Sequence, residues 1–235
     1  MAPANATQSS ATPKAQARVA LIGLDIAAKT ILREGFRQFS IECLMFEYED
    51  AQEQISRQKM EACVVRLDQS AMPILSAVRT SRSNNRMVVY GICATAQEAL
   101  RFSQFGINAV FNDPVDRQNA LKVIRATHLL VLHELRRYVR IPILSPLQLR
   151  VDGETIGGSI HEISGGGMSL QTKATLATGQ PVEVSFRLPN MQELSLKAAV
   201  AWVRPDVKLA GLRFDPQEPN RFRVKNWIDQ YLDIG

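Results

Sequence analysis

Three guanidinium side chains, Arg136, Arg137 and Arg140, crowd into one short stretch of this 235-residue chain. Arginine forks two hydrogen bonds to a phosphate and stacks its flat face on a purine. Pro142 biases Ile141 towards extended backbone, so a helix carrying these arginines should uncoil near them. An uncoiled strap can wrap a ligand from several sides. Alone, the cluster reads more simply as a solvated basic helix end, which the helix dipole favours. A second group follows in His161–Glu162–Ile163–Ser164–Gly165–Gly166–Gly167. In a strand, Glu162 and Ser164 point to one side. The carboxylate can accept two hydrogen bonds from the N1–H and N2–H₂ edge of a guanine, and the hydroxyl can donate or accept beside it. The glycines permit close backbone approach and positive φ. The plainer alternative is an ordinary glycine-rich hairpin turn.

Other reactive side chains form no comparable group. His161 and Glu162 are adjacent and point to opposite faces of a strand. His128 and His133 stand five apart in a helix and share no face for a metal. Cys43, Cys63 and Cys93 are far apart in apolar runs, with no CxxC pair. They read as buried, reduced thiols and not as zinc ligands or a redox dithiol. No nucleophile–base pair or metal cluster is visible, so neither an enzyme nor a resident cofactor or metal is expected.

The surrounding elements must position the two groups. Residues 18–116 alternate between short apolar runs and helical periods. RVALIGLD, SIECLMFE, MEACVVRLD, MVVYGICA and NAVFND read as strands. IAAKTILREGFRQF, DAQEQISRQK, PILSAVRTSR and AQEALRFSQFG read as helices, the third opened by Pro73 and the fourth closed by Gly106. This order predicts an open parallel sheet with helices on both faces. A long helix without Gly or Pro follows, from about Val115 to Arg136. Ala120, Val123, Ile124, Leu130, Val131 and Leu135 form its apolar stripe, and the surplus at Leu129–Leu132 offers a surface to a partner subunit. Beyond Ile141 the period becomes two: Val182, Val184, Phe186, Leu188; Leu194, Leu196, Ala198, Val200, Trp202; Ala210, Leu212, Phe214. Such runs, parted by turns, predict an antiparallel sheet or small barrel. A last helix, about Pro219 to Leu232, presents Phe222, Trp227, Ile228 and Tyr231 for packing.

Composition narrows the class. The chain is 46% apolar and 22% charged, as soluble globular proteins are. A net charge of +5 and a pI of about 9.3 lean mildly towards anionic partners. No helix-turn-helix or stacking array accompanies that charge, so nucleic acid is not an expected partner. Apolar runs break well before the ~18 residues a membrane span needs. The first residues are small, polar and Pro-containing, without the apolar core of a signal peptide, and read as a disordered tail.

Taken together, the two groups resemble the motifs of the PilZ family over roughly residues 133–234. Arg136 and Arg140 match its Arg-x-x-x-Arg, with Arg137 as the frequent second arginine. Glu162, Ser164 and Gly167 match its Asp/Asn-x-Ser-x-x-Gly, with Glu162 where Asp or Asn is usual. Val200–Ala201–Trp202 and Gly211–Leu212–Arg213–Phe214 are similar to its barrel strands. The resemblance implies a six-stranded antiparallel barrel that senses cyclic di-GMP, often as an intercalated dimer. It implies that Arg136 and Arg140 contact the ligand, Arg137 supports them, Glu162 and Ser164 hydrogen-bond a base, and Gly167 shapes the turn. The extra methylene of Glu162 displaces its carboxylate by about 1.5 Å.

The order of elements in residues 18–125 resembles receiver domains of two-component signalling, with Gly106–Ile107–Asn108–Ala109 and Asp113–Pro114 as matching fragments. A receiver holds Mg²⁺ in an acidic cluster beside a phosphoacceptor Asp. Here Arg66 falls at the acceptor position, Asp68 lies two residues on, at most Asp25 remains of the acidic pair, and Asp113 replaces the expected lysine. The expectation is a pseudo-receiver without phosphoryl chemistry.

The expected fold class is thus α/β plus all-β. It comprises a tail (1–17), a receiver-like (βα)5 domain (18–125), a helical linker with the arginine strap (126–140) and a PilZ barrel with a terminal helix (141–235). The expected function is a bacterial, cytoplasmic cyclic di-GMP effector that turns ligand binding at the strap into a change of domain arrangement or of binding to an unidentified protein partner. A homodimer through the long helix or pseudo-receiver is compatible. The alternative is a PilZ-fold interaction scaffold with weakened or lost nucleotide binding.

Overall fold

The computed structural model describes residues 15–232; residues 1–14 and 233–235, and with them most of the expected tail, lie outside the described part. Strands β1 (Arg18–Ile22), β2 (Glu42–Phe46), β3 (Ala62–Arg66), β4 (Val88–Cys93) and β5 (Ala109–Asn112) pair in parallel in the order β2-β1-β3-β4-β5. Helices α1 (Ile26–Arg37), α2 (Tyr48–Arg57), α3 (Ala71–Thr80) and α4 (Ala96–Arg101) connect them. β3 and β4 are buried almost throughout. Their apolar runs are therefore continuous, as parallel strands covered on both faces require. Alternate side chains still part to opposite faces. Leu21, Val64 and Tyr90 pack with Leu32 and Phe36 of α1, whereas Ile22, Val65 and Val89 pack with Ile55 of α2 and Ile74 of α3. The fourth helix is shorter than its pattern. It stops at Arg101, Phe102 leaves helical geometry, and a 3-10 turn at Ser103–Phe105 leads to Gly106 at φ 62°.

The long helix α5 (Arg117–Tyr138) starts at Asp116, whose carboxylate accepts from the Asn119 N–H at 2.9 Å, a standard cap. Ala120, Ile124, Val131 and Leu135 are buried along it. Leu130, expected in that stripe, lies beside the line and is 46% exposed, and Leu129 is exposed too.

Strands β6 (Ile141–Val151), β7 (Glu154–Ser164), β8 (Gly167–Thr172), β9 (Pro181–Phe186), β10 (Leu194–Arg204) and β11 (Leu209–Phe214) close an antiparallel barrel in the order β10-β11-β8-β7-β6-β9. Leu149, Ile160, Leu170, Val184, Leu196 and Leu212 are among the buried period-two residues that fill it. Pro142 and Pro146 lie within β6, ahead of the stretch Leu147–Arg150 that pairs with β9. There β6 is bonded on one side only, where proline is tolerated. The register of β10 on β11 shifts between Val200 and Trp202. Such a bulge re-aims the side chains beyond it. Trp202, which alternation would align with Val200, is instead partly exposed and lies against Gly211.

Helix α6 (Arg221–Tyr231) seals one end. Val224, Trp227 and Ile228 are buried, and Trp227 Nε1 donates to the Pro189 carbonyl at 3.1 Å. Phe222, expected to pack, is 68% exposed. One buried apolar cluster runs from β1 through Ile124, Leu135 and Val139 into Ile141, Leu147 and Trp227. No described helix is long and apolar enough to cross a membrane.

Candidate functional site

The end of α5, the start of β6 and the β7–β8 turn bring the two motifs together. α5 ends where Val139 turns extended, at φ −61° and ψ 134°. Arg136 and Arg137 therefore sit in the last helical turn and Arg140 in an extended strap. β6 runs antiparallel to β7 with Pro142 opposite Glu162. This register carries Arg140 to the second motif, where its Nη1 donates to Glu162 Oε1 at 2.8 Å.

The turn itself is tight. Ser164 pairs with Gly167, and Ser164 Oγ donates to the Gly167 carbonyl at 3.0 Å. None of Gly165, Gly166 and Gly167 takes the positive φ that the sequence suggested. Gly167 is needed for another reason: a methyl group there would overlap the Leu212 carbonyl oxygen of β11.

Arg140, Glu162, Ser164 and Gly167 line one cavity of about 260 Å³, together with Trp202 and Arg213. The sequence reading places the last two on barrel strands and not in the site. A signal for Trp202 existed in Gly211, its neighbour across β10 and β11. A methyl group at Gly211 would overlap the indole, so glycine keeps the ring in place. The Arg204 guanidinium lies 5.4 Å from the indole centre, within cation–π range.

Arg136 and Arg137 do not join Arg140 there. They line a neighbouring cavity of about 390 Å³, and Gly166 borders both spaces. Each strap arginine faces a carboxylate from a different element. Arg136 Nε is 2.8 Å from Asp229 of α6, Arg137 Nη1 is 3.4 Å from Glu134 of α5, and Arg140 meets Glu162 of β7. Glu134 is also held by Lys59 Nζ at 3.2 Å, and that ammonium lies 4.1 Å from the Tyr138 ring centre. Lys59 follows α2 in the receiver-like half, so the strap is tied to that half through buried charge. Burial holds the Lys59 pKa below the usual lysine range, against the pull of Glu134. Burial pushes Glu61 above the usual carboxylate range, although it accepts from the Arg18 N–H at 2.8 Å.

At the carboxyl edge of the parallel sheet, Arg66 occupies the expected acceptor position. Its guanidinium hydrogen-bonds Asp113 and reaches Asp25 at 3.2 Å. A cation built into the chain thus sits between the two acids. Asp68 accepts from the Ser70 N–H at 2.8 Å in the turn before α3. Among the described residues no group of three or more His, Cys, Asp or Glu is placed to hold a metal. His161 Nδ1 lies 3.5 Å from Ser169 Oγ. Cys63 and Cys93 are buried free thiols, whereas Cys43 is only partly buried. Burial pushes the Cys63 thiol up to about 12.

Residues 134–232 match the family model of the PilZ domain. Several solved structures are similar to this chain. The Bacillus subtilis inhibitor of motility MotI/DgrA is 17% identical, with a TM-score of 0.35 over 40% of this chain and 49% of its own. This chain therefore spans about half the length of that relative. The PilZ domain of CeSA from a cellulose-synthesizing bacterium is also 17% identical, with a TM-score of 0.32 over 40% of this chain and 95% of its own. The chemotaxis response regulator CheY4 of Vibrio cholerae is 11% identical, with a TM-score of 0.43 over 48% of this chain and 98% of its own. No curated protein matches.

Proposed function

We propose, from a chain whose residues 134–232 match the PilZ domain, that the protein is a cyclic di-GMP-binding effector whose ligand is gripped by the arginine strap. One observation carries this reading: Arg140 and Glu162, from the two separate motifs, meet at 2.8 Å on the wall of one cavity. A phosphate of the ligand takes Arg140 from Glu162. The released carboxylate then accepts from the N1–H and N2–H₂ edge of a guanine. Trp202 offers that base a flat face.

Magnitudes favour the exchange. The Arg140 side chain is 62% exposed, and an ion pair so wet is worth about 0–1 kcal/mol. Each charge-assisted hydrogen bond gained is worth about 1.5–3 kcal/mol. Binding also pulls on the strap between Tyr138 and Ile141. Arg137 and Tyr138 touch Glu134 and Lys59, so the pull reaches the receiver-like half and biases one domain arrangement over another. PilZ and receiver-like folds are generally non-catalytic, in keeping with a signalling role in a bacterial cytoplasm. The exposed Leu129 and Leu130 of α5 are where a homodimer would form.

Calorimetry of the full chain with cyclic di-GMP tests the reading. Binding at about tens of micromolar or tighter is expected, weakened about 10- to 100-fold by Arg140→Ala. No heat from the wild type, or equal heat from the variant, refutes it.

The same ion pair favours a second reading, a PilZ-fold scaffold in which Glu162 has closed the site onto Arg140. Glu162→Asp separates the two. A large gain of binding points to a decayed site, and unchanged binding to a glutamate that already serves.

A further inference from the structure

The larger cavity beside the strap has a wall that neither motif supplies. Arg221, Lys225 and Asp229 recur at four-residue steps along α6, which puts them on one face of that helix. That face lines the cavity opposite His133, Arg136 and Arg137 of α5. Four cationic side chains, Arg136, Arg137, Arg221 and Lys225, thus face a space of about 390 Å³ that holds one carboxylate, Asp229.

The donors on α6 are underused. Arg221 Nη2 reaches the Gly165 carbonyl only at 3.4 Å, and its Nε is buried with no hydrogen-bond partner among the described residues. Lys225 makes no ion pair among the described residues. Arg136 and Arg137 are matched by Asp229 and Glu134, and Arg221 and Lys225 add two further positive charges beside them. Like charges held close together repel, and a bound anion relieves that repulsion.

We propose that this cavity is a phosphate site in which Arg221 and Lys225 are ligand-contacting residues, and that Asp229 competes with the phosphate for Arg136. The choice of ligand rests on the reading above: a cyclic dinucleotide has two phosphodiesters, and Gly166 borders both this space and the Arg140–Glu162 cavity. One phosphate then meets Arg140 and the other meets the cations between α5 and α6. α6 becomes a clamp, closed by the ligand against the last turn of α5.

Two titrations of the full chain decide the matter. In calorimetry with cyclic di-GMP, the Arg221→Ala/Lys225→Ala double variant should bind about 10- to 100-fold more weakly than wild type, the loss of one charge-assisted hydrogen bond or more. Asp229→Asn should bind more tightly than wild type. In thermal melts, millimolar pyrophosphate should raise the melting temperature of wild type and leave the double variant unchanged. A double variant that binds cyclic di-GMP as wild type does overturns the proposal while leaving the effector reading intact. If wild type itself gives no heat with cyclic di-GMP, the effector reading fails and the pyrophosphate melts alone decide. Stabilisation lost in the double variant then supports a phosphate site, and absent or undiminished stabilisation refutes it.

Discussion

Replacing Glu134 by alanine should destabilise the fold by about 3 kcal/mol, the lower end of the cost of breaking a buried ion pair. The Glu134 side chain keeps 4% of its exposure and Lys59 keeps 19%, at a separation of 3.2 Å. Removing one partner leaves the other charged and away from water, which accounts for a cost of about 3–5 kcal/mol. Lys59 retains the Met60 carbonyl at 3.1 Å and the Tyr138 ring, so the lower end applies. For a chain of this size about 1 kcal/mol moves the melting temperature by about 2–4 °C, giving a fall of about 6–12 °C. Circular dichroism melts measure it. Lys59→Met combined with Glu134→Leu removes both charges and should recover most of the loss, because an apolar pair needs no compensation. A fall under about 2 °C for Glu134→Ala, or a double variant no more stable than the single, would show that this contact does not hold the strap to the receiver-like half.

Other perturbations probe separate features. Arg66→Ala leaves Asp25 and Asp113 facing each other and should cost about 1 kcal/mol in urea denaturation at neutral pH. Millimolar Mg²⁺ should restore the variant and leave wild type unchanged, since a cation replaces the guanidinium; an equal response in both counts against this account. Gly211→Ala should cost about 1–3 kcal/mol by overpacking against Trp202 and shift tryptophan emission to the red; unaltered emission would place the indole elsewhere. Glu61 has a raised folded pKa. Its contribution to stability is therefore complete below the ordinary carboxylate pKa of about 4.3 and is lost as pH rises through the folded value. The advantage of wild type over Glu61→Gln in melts should shrink from pH 4 towards neutrality, and a constant difference would contradict the burial argument.

Much of this molecule is legible in its residues, for reasons that also explain the gaps. Continuous apolar runs such as that of β4 announce a strand covered on both faces, and the alternation of Val182, Val184 and Phe186 announces a barrel wall. Local period carries both signals. Trp202 escapes it because a one-residue slip in β10 is invisible to alternation and reverses the outcome beyond Val200. Phe222 escapes it because an apolar residue on a short helix can lie on either face. The arginine motif marks a site without revealing that the helix end divides it, with Arg140 in the strap and Arg136 and Arg137 over a second space. Arg221 and Lys225 lie some eighty residues further on, and only the closure of α6 against α5 brings them there. Arg66 shows the converse. Its place in the pattern predicts lost chemistry, and the fold adds that Asp25 and Asp113 have become its partners.

The apolar cluster that continues through α5 determines how the protein can be taken apart. A barrel excised at Ile141 would surrender Val131, Leu135 and Val139 from the cluster it shares with them. A receiver-like fragment ending at residue 125 would lose the same helix turns from the other side. Neither cut falls in the polar, contact-poor linker at which independent domains normally part. Fragments that keep α5 whole respect the packing. Those that end at the motif boundaries expose apolar surface, and their failure to bind a ligand would speak of folding before it spoke of recognition.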